Sequence, residues 1–281
     1  MPAAILGLLS ALVYGSADFV GGVAARAIGP LRTTALGAVG GLALLLLALP
    51  FVGGVWSASA VGWGAVSGAV GSLAVALLYA CLAIGPMSIL SPLTALVSAL
   101  VPMVWGLVGG DRFAPIGYVA LGLALVAVVL VGFVPERGAV RPSARALGMA
   151  VAAGALIGVF LILLDQTPAD SGLVPLVANR TVNAAIMWTI VGVLALRGAT
   201  RRLPRRGALL ALGSGLLDAS ANVLILLGLR AGDLTTMSVL VALYPAGTIV
   251  LAAVVLRERI APVQWVGLVL AVVAAALLAV A

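Results

Sequence analysis

The sequence has few of the residues on which enzyme chemistry usually depends. It contains no histidine and one cysteine, Cys81, among 281 residues. The lack of histidine excludes His-ligated zinc and histidine acid–base chemistry, and one cysteine cannot form a disulfide within the chain. No nucleotide-binding P-loop is present either. We therefore predict that the protein is not an enzyme and that it holds neither a metal nor a cofactor.

Charge is the second scarce property. Charged residues make up 8% of the chain and apolar residues 64%, whereas soluble domains have about 25% charged residues. A protein with so few charged residues must expose apolar residues on most of its surface, and that surface must face lipid. The net charge of +7 comes from arginines beside apolar runs, where the positive-inside rule explains them. We expect a bilayer as the main partner, in the cell (inner) membrane, and no nucleic acid.

Long apolar runs then give the architecture. A spanning helix needs about 20 apolar residues, and breaks at Arg, Pro and Gly separate ten such runs. We call the side of the membrane that holds the N-terminus side A, and the opposite side side B. The predicted spans are 3–24, 31–51, 61–83, 88–108, 114–134, 146–165, 172–196, 207–228, 235–256 and 261–280.

An internal repeat divides these spans into two sets of five. A shift of 147 positions aligns 85–133 with 232–280 without a gap, and 17 of the 49 pairs are identical. Each copy places an acid, an arginine and a helix-starting proline before its last span, as in Asp111 and Glu258. Because five is odd, the second set crosses the membrane in the opposite sense. We predict an all-α polytopic membrane protein built as two inverted five-helix repeats, 1–134 and 146–281.

At these residues the chain resembles the EamA-type drug/metabolite transporters. The resemblance lies in Tyr14-Gly15-Ser16-Ala17-Asp18 of the first span and in the run from Pro245 to Glu258-Arg259. The first half departs from the pattern, with Ser98 at the position that corresponds to Pro245. The resemblance implies a ten-helix carrier that works by alternating access, commonly an exporter of amino acids or other small metabolites.

Three charged residues lie inside predicted spans, namely Asp18, Arg180 and Asp218. A charge there costs about 2.5–3.5 kcal/mol on insertion scales, so it is expected to face a cavity or a partner. Helix counting puts Arg180 and Asp218 at similar depths, so we predict that they share a cavity or pair. It puts Asp18 about six residues from side B, where either an ion pair with Arg26 or Arg32 or a proton-exchanging carboxyl fits.

Polar and aromatic neighbours extend these positions. Asn183 and Asn222 follow the charged residues by three and four positions, on the same helical faces. Two interpretations remain open for these stripes: a cavity wall suited to a polar or zwitterionic solute, and a structural salt bridge between two spans. Tyr14, Tyr79 and Tyr244 are further candidates to line a cavity. Hinge candidates are Pro92, Pro102, Pro175 and Pro245, because proline interrupts backbone bonding.

These features predict a secondary carrier of small solutes, with protons as a possible coupling ion. Two alternatives remain: an intramembrane aspartyl enzyme that uses Asp18 and Asp218, and a passive channel or scaffold. The sequence leaves the oligomeric state open.

Arginine distribution predicts the orientation. Side A loops hold Arg112 and Arg230, whereas side B loops hold twelve arginines. Positive charge in short loops marks the cytoplasmic side. We therefore predict a cytoplasmic side B with both termini outside, contrary to the usual family orientation.

Overall fold

Helices account for the regular structure wherever the computed structural model describes the chain. The described residues are 2–84, 87–132, 142–197, 203–255 and 260–278. The helices are α1 (Pro2–Ile28), α2 (Pro30–Val52), α3 (Ala58–Ile84), α4 (Met87–Gly109), α5 (Pro115–Gly132), α6 (Ala144–Asp165), α7 (Val174–Leu196), α8 (Arg205–Ala231), α9 (Leu234–Val241), α10 (Tyr244–Val255) and α11 (Pro262–Leu278), with a 3-10 turn at Ala169–Ser171.

The ten predicted spans are present in the described residues. Nine helical segments there are long and apolar enough to cross a membrane, and the tenth, Pro262–Leu278, is shorter. Large apolar side chains are exposed along these helices, as expected where the surface faces lipid. The prediction of an all-α polytopic membrane protein is confirmed.

Span nine corrects the prediction of one continuous helix over 235–256. It consists of α9 and α10, which are separated at Ala242 and Leu243. Leu243 N donates to the Leu240 carbonyl and Ala246 N to the Leu243 carbonyl, so the bonding tightens to three-residue steps here. Pro245 has no N–H to continue the α-helical pattern, which accounts for the break.

Span one is longer than predicted, and this changes the depth of Asp18. α1 ends at Ile28 rather than at residue 24, so Asp18 lies about 15 Å from the side B end at 1.5 Å per residue. The helix thus continues past the predicted end of span one, and Asp18 lies farther from the end of α1 than the six residues predicted. The apolar pattern underestimated α1 because its last turn contains Arg26, a residue that tolerates the membrane boundary.

Helix contacts between the two halves occur in exchanged pairs. α1 packs on α8 as α6 packs on α3, and α2 packs on α8 as α7 packs on α3. α4 packs on α6 as α9 and α10 pack on α1, while α5 meets α11 and α2 meets α7. Here α9 and α10 together count as span nine and α11 as span ten. Exchanging each span with the span five places away in the chain then reproduces these contacts. The pattern is compatible with the predicted inverted repeat.

Glycines allow the closest of these approaches. A Cβ on Gly215 of α8 would overlap the backbone of Gly37 in α2, and a Cβ on Gly64 of α3 would overlap the backbone of Pro175 in α7. Backbones can therefore approach where larger side chains would separate them. The two contacts join equivalent helix pairs of the two halves.

An apolar cluster fills the side A half between α1, α2 and α6 to α9. Met237 and Leu164 are fully buried in it. We call this cluster the side A plug. Its buried members are Ala3, Leu45, Leu161, Leu164, Leu173, Leu176, Val177, Ala219, Ile225, Leu226, Leu229, Leu234, Met237 and Val241.

Candidate functional site

A cavity of about 550 Å³ lies between the two halves, on the side B face of the side A plug. Helices of both halves line it, from the middle of the membrane to the side B ends, where Ala25, Thr33 and Gly132 contribute. Its volume falls within the range of about 300–1,000 Å³ that is common for small-molecule sites. The predicted site residues that line it are Tyr14, Asp18, Arg180, Asn183, Asp218, Asn222, Tyr244 and Pro245.

Arg180 of α7 and Asp218 of α8 form an ion pair on the cavity wall, with Nη2 of Arg180 donating to Oδ2 of Asp218. The two side chains are 13% and 24% exposed. Helix counting predicted that these residues share a depth, and the structure brings them together. The residual exposure faces the cavity that both residues line, so a solute could reach the pair.

Asp18 projects from α1 into the same cavity and is exposed there. Within the described residues it has no hydrogen bond or ion pair, so the predicted pair with Arg26 or Arg32 is not found there. Asp218 is bonded to Arg180 instead of to Asp18. Both carboxyl groups line the same cavity, but Asp218 is already paired with a guanidinium, an arrangement unlike that of two acids that share one proton.

Asn222 is 2% exposed and lies one helical turn beyond Asp218 on α8. Its Nδ2 donates to the Asp218 backbone carbonyl at 2.7 Å. Its Oδ1 is buried and has no donor within the described residues. A buried amide oxygen without a donor is costly unless a ligand or water satisfies it. Asn222 lines the cavity, and its Oδ1 becomes an acceptor for an occupant if the side chain turns toward it.

An aromatic pair borders the cavity where span nine breaks. The rings of Tyr14 and Tyr244 lie 5.6 Å apart at a tilt of 57°. Thr248 donates its hydroxyl to the Gly15 carbonyl at 3.0 Å, and a Cβ on Gly15 would overlap the Tyr244 carbonyl. α1 therefore contacts the start of α10 directly. The side chain of Tyr79 lies outside the described residues.

The four prolines proposed as hinges fall into two groups. Pro92 and Pro102 lie inside α4, whereas Pro175 lies in the first turn of α7 and Pro245 in that of α10. A proline in the first turn removes no helical hydrogen bond, so Pro175 does not interrupt its helix as predicted. Pro245 is the second residue of α10, just after the break, and lines the cavity, while Pro92, Pro102 and Pro175 lie outside the cavity lining.

Sequence reasoning missed the amide contacts between α7 and α3. Asn179 donates to Ser67 Oγ at 2.8 Å, and Asn183 donates to Ser72 Oγ at 2.9 Å. The signal was available in part, because Asn179 precedes Asn183 by four residues and so shares its helical face. The two serine partners lie more than 100 residues away in the sequence. No local sequence pattern indicates contacts over that separation.

Donors on the cavity wall are largely engaged within the protein. The Thr33 hydroxyl donates to the Gly29 carbonyl just before α2, and the Thr94 hydroxyl to carbonyls of α4 and α6. The amide nitrogens of the three asparagines are bonded as described above. Groups that retain capacity within the described residues include the Asp18 carboxyl, Asn222 Oδ1 and the remaining N–H groups of Arg180. The cavity thus offers two acceptors from α1 and α8 and a cationic donor from α7.

Comparison with known proteins identifies the second half most clearly. Residues 144–280 match the model of the EamA-like transporter family. Among solved structures, 28 chains match significantly. One of them, a "Crystal structure of protein", matches with a TM-score of 0.77 and 17% identity over 99% of this chain and 98% of its own. At that identity the likeness shows the fold alone. No curated protein matches the sequence significantly.

Proposed function

We propose that this chain, which carries an EamA-like transporter domain over residues 144–280, is a secondary carrier that moves small polar solutes by alternating access. The match of residues 144–280 to this family model supports a multi-pass membrane transporter of small solutes. The observation that carries the finer proposal is the cavity of about 550 Å³ between the two halves, lined by charges of both signs. The resemblance to exporters makes export the expected direction.

The polar groups on the cavity wall that have no partner within the described residues indicate which chemical groups the solute carries. An ammonium group can donate to the Asp18 carboxylate and to Asn222 Oδ1, while a carboxylate or other acceptor can bind the remaining N–H groups of Arg180. The tilted tyrosine pair adds an amphipathic surface beside them. We propose amino acids or other small metabolites with an ammonium group as the substrate class.

Charge balance supports a coupling role for Asp18. Asp18, Asp218 and Arg180 together give the described cavity wall a formal charge of −1, since one cation offsets only one acid. A zwitterion bound through its ammonium group leaves that charge unchanged, whereas a proton on Asp18 neutralises the site in the low-dielectric membrane interior when no solute is bound. We propose that Asp18 exchanges its proton as the solute binds and leaves.

Transport in proteoliposomes tests this proposal, with amino acids and a neutral sugar supplied with and without a pH gradient. Saturable uptake of an amino acid that a pH gradient stimulates is the expected result. Non-saturable flux of all solutes would instead indicate a channel, and a chemically altered solute would indicate an enzyme.

The variant Asp18→Asn isolates the coupling residue. It should keep normal membrane abundance but lose stimulation by the gradient, because an amide cannot exchange the proton. Asp165→Asn is the matched control, since Asp165 lies at the side A end of α6, outside the cavity lining. Unchanged pH dependence in Asp18→Asn would refute the proton-exchange role.

A further inference from the structure

Hydrogen bonds on side A join the two halves of the chain. Asp111, in the turn between α4 and α5, accepts from Thr235 near the start of α9. Its Oδ2 lies 2.6 Å from Thr235 Oγ1 and 3.2 Å from Thr235 N. One carboxylate of the first half thus binds the N-terminal turn of a helix of the second half, where the helix dipole favours negative charge.

Two backbone hydrogen bonds also join the two halves on side A. Val55 N donates to the Asp170 carbonyl at 3.0 Å, and Leu173 N donates to the Gly53 carbonyl at 3.2 Å. These bonds join the α2–α3 connection of the first half to the α6–α7 connection of the second. Arg230 of α8 donates from Nη2 to Ser171 Oγ and to the Gly172 carbonyl, each at 3.0 Å, and so braces the α6–α7 connection.

Position relative to the cavity gives these bonds a functional meaning. The side A plug separates the cavity from side A, and Thr235 is fully buried beside its member Leu234. Movement of α9 away from the turn between α4 and α5 would open the side A plug, because Leu234, Met237 and Val241 of α9 belong to it. The Asp111–Thr235 contact must then break, because the carboxylate stays with the turn between α4 and α5.

The internal repeat retains both residue types. The shift of 147 positions places Asp111 on Glu258 and Thr235 on Ser88, so each half has an acid before its last span and a hydroxyl residue at the start of its fourth. Glu258 and the Ser88 side chain lie outside what the structure describes.

We propose that the Asp111–Thr235 contact is a latch that holds side A closed and is released once in each transport cycle. The latch rests on the proposed alternating access, but it acts on the conformational equilibrium and needs no substrate. Asp111 is a positioning residue, since it lies outside the cavity lining. Without the latch, the population with side A open rises.

Two cysteine reporters read this equilibrium directly in nanodiscs, in a Cys81→Ala background. Val174→Cys reports on side A, because Val174 is fully buried at the side A end of α7. Ala25→Cys reports on the cavity near side B. Impermeant maleimide labelling rates are measured without substrate, so failure of the latch can be distinguished from failure of the transport proposal.

Thr235→Val retains the shape of the side chain and the backbone bond to Asp111 but removes the hydroxyl, which also lies 3.3 Å from the Met103 carbonyl of α4. It should raise the labelling rate of Val174→Cys roughly ten-fold, as loss of a hydrogen bond to a charged group implies, and lower that of Ala25→Cys. Asp111→Ala should do the same, and Thr235→Ser should restore both rates. Arg112→Ala is the matched control, because the bonds of Arg112 within the described residues go to the Leu107 carbonyl at the end of α4 and to the Asp111 carbonyl, both in the first half.

Two results would overturn the latch. One is an unchanged Val174→Cys labelling rate in both Thr235→Val and Asp111→Ala. The other is an equal rise in Arg112→Ala, which would indicate general loosening of side A. A misfolded Asp111→Ala protein leaves the decision to Thr235→Val and its Thr235→Ser rescue.

Discussion

Removal of Arg180, Asp218 or both is expected to show strong coupling between these two residues. Arg180→Ala leaves the Asp218 carboxylate without another donor within the described residues, and Asp218→Ala leaves a guanidinium without its acid. Each remaining charge then lies inside the membrane without the opposite charge that it contacts in the structure. The double variant Arg180→Ala/Asp218→Ala removes both charges and thus avoids that cost.

Exposure of the two side chains sets the magnitude. At 13% and 24% exposed, the pair lies between a surface pair worth about 0–1 kcal/mol and a buried pair whose disruption costs about 3–5 kcal/mol. We expect each single variant to lose about 2 kcal/mol of unfolding free energy. The double variant should lose about 2–3 kcal/mol rather than the sum, which gives a coupling energy of about 1–2 kcal/mol.

Reversible SDS titration of the purified protein in mixed micelles measures these free energies. A second cycle, Arg112→Ala with Asp218→Ala, is the control, because Arg112 lies in a side A turn and shares no partner with Asp218. The control cycle should be additive within about 0.5 kcal/mol. Additivity of the Arg180 cycle to the same precision would refute the paired arrangement.

Two further predictions concern topology and packing. A cysteine in loop 197–207, with Cys81 replaced, should resist an impermeant thiol reagent applied to intact cells if side B is cytoplasmic; ready labelling from outside would reverse the orientation. Gly215→Ala should lower the unfolding free energy by about 1–3 kcal/mol, since its Cβ would overlap the Gly37 backbone. Gly213→Ala, on the same helix with open space around it, should be neutral or stabilising, and equal losses in both would contradict the close contact of α2 and α8.

Local sequence patterns located the helices better than their ends and interruptions. Apolar runs find a span because every residue that faces lipid must be apolar. They do not find where a helix stops, as α1 shows by continuing past Arg26 to Ile28. They gave span nine as one helix although Pro245 indicated a hinge in it, because Ala242 and Leu243, where the helix breaks, are as apolar as the helix around them and remain buried.

Candidate site residues could be selected from sequence because charges are rare within spans. Asp18, Arg180 and Asp218 were found in this way, since a membrane retains a charge only where a cavity or partner accepts it. Hydrogen bonds between distant parts of the chain were harder to predict. Asn179 donates to Ser67 and Asp111 accepts from Thr235 across more than 100 residues, and serine and threonine occur in spans for many reasons.

Composition alone determined that this protein lies in a membrane, and the 147-residue repeat predicted two five-span halves, because these properties follow from the kinds of residue and their order. Tertiary structure decided which charges meet. Arg180 binds Asp218 and leaves Asp18 exposed in the cavity, a choice set by how α1, α7 and α8 pack. It also decided that Asp111 binds across the halves to α9 rather than within its own turn. Packing brings these residues together from distant parts of the chain. A local sequence pattern contains no information about contacts between residues that are so far apart in the sequence.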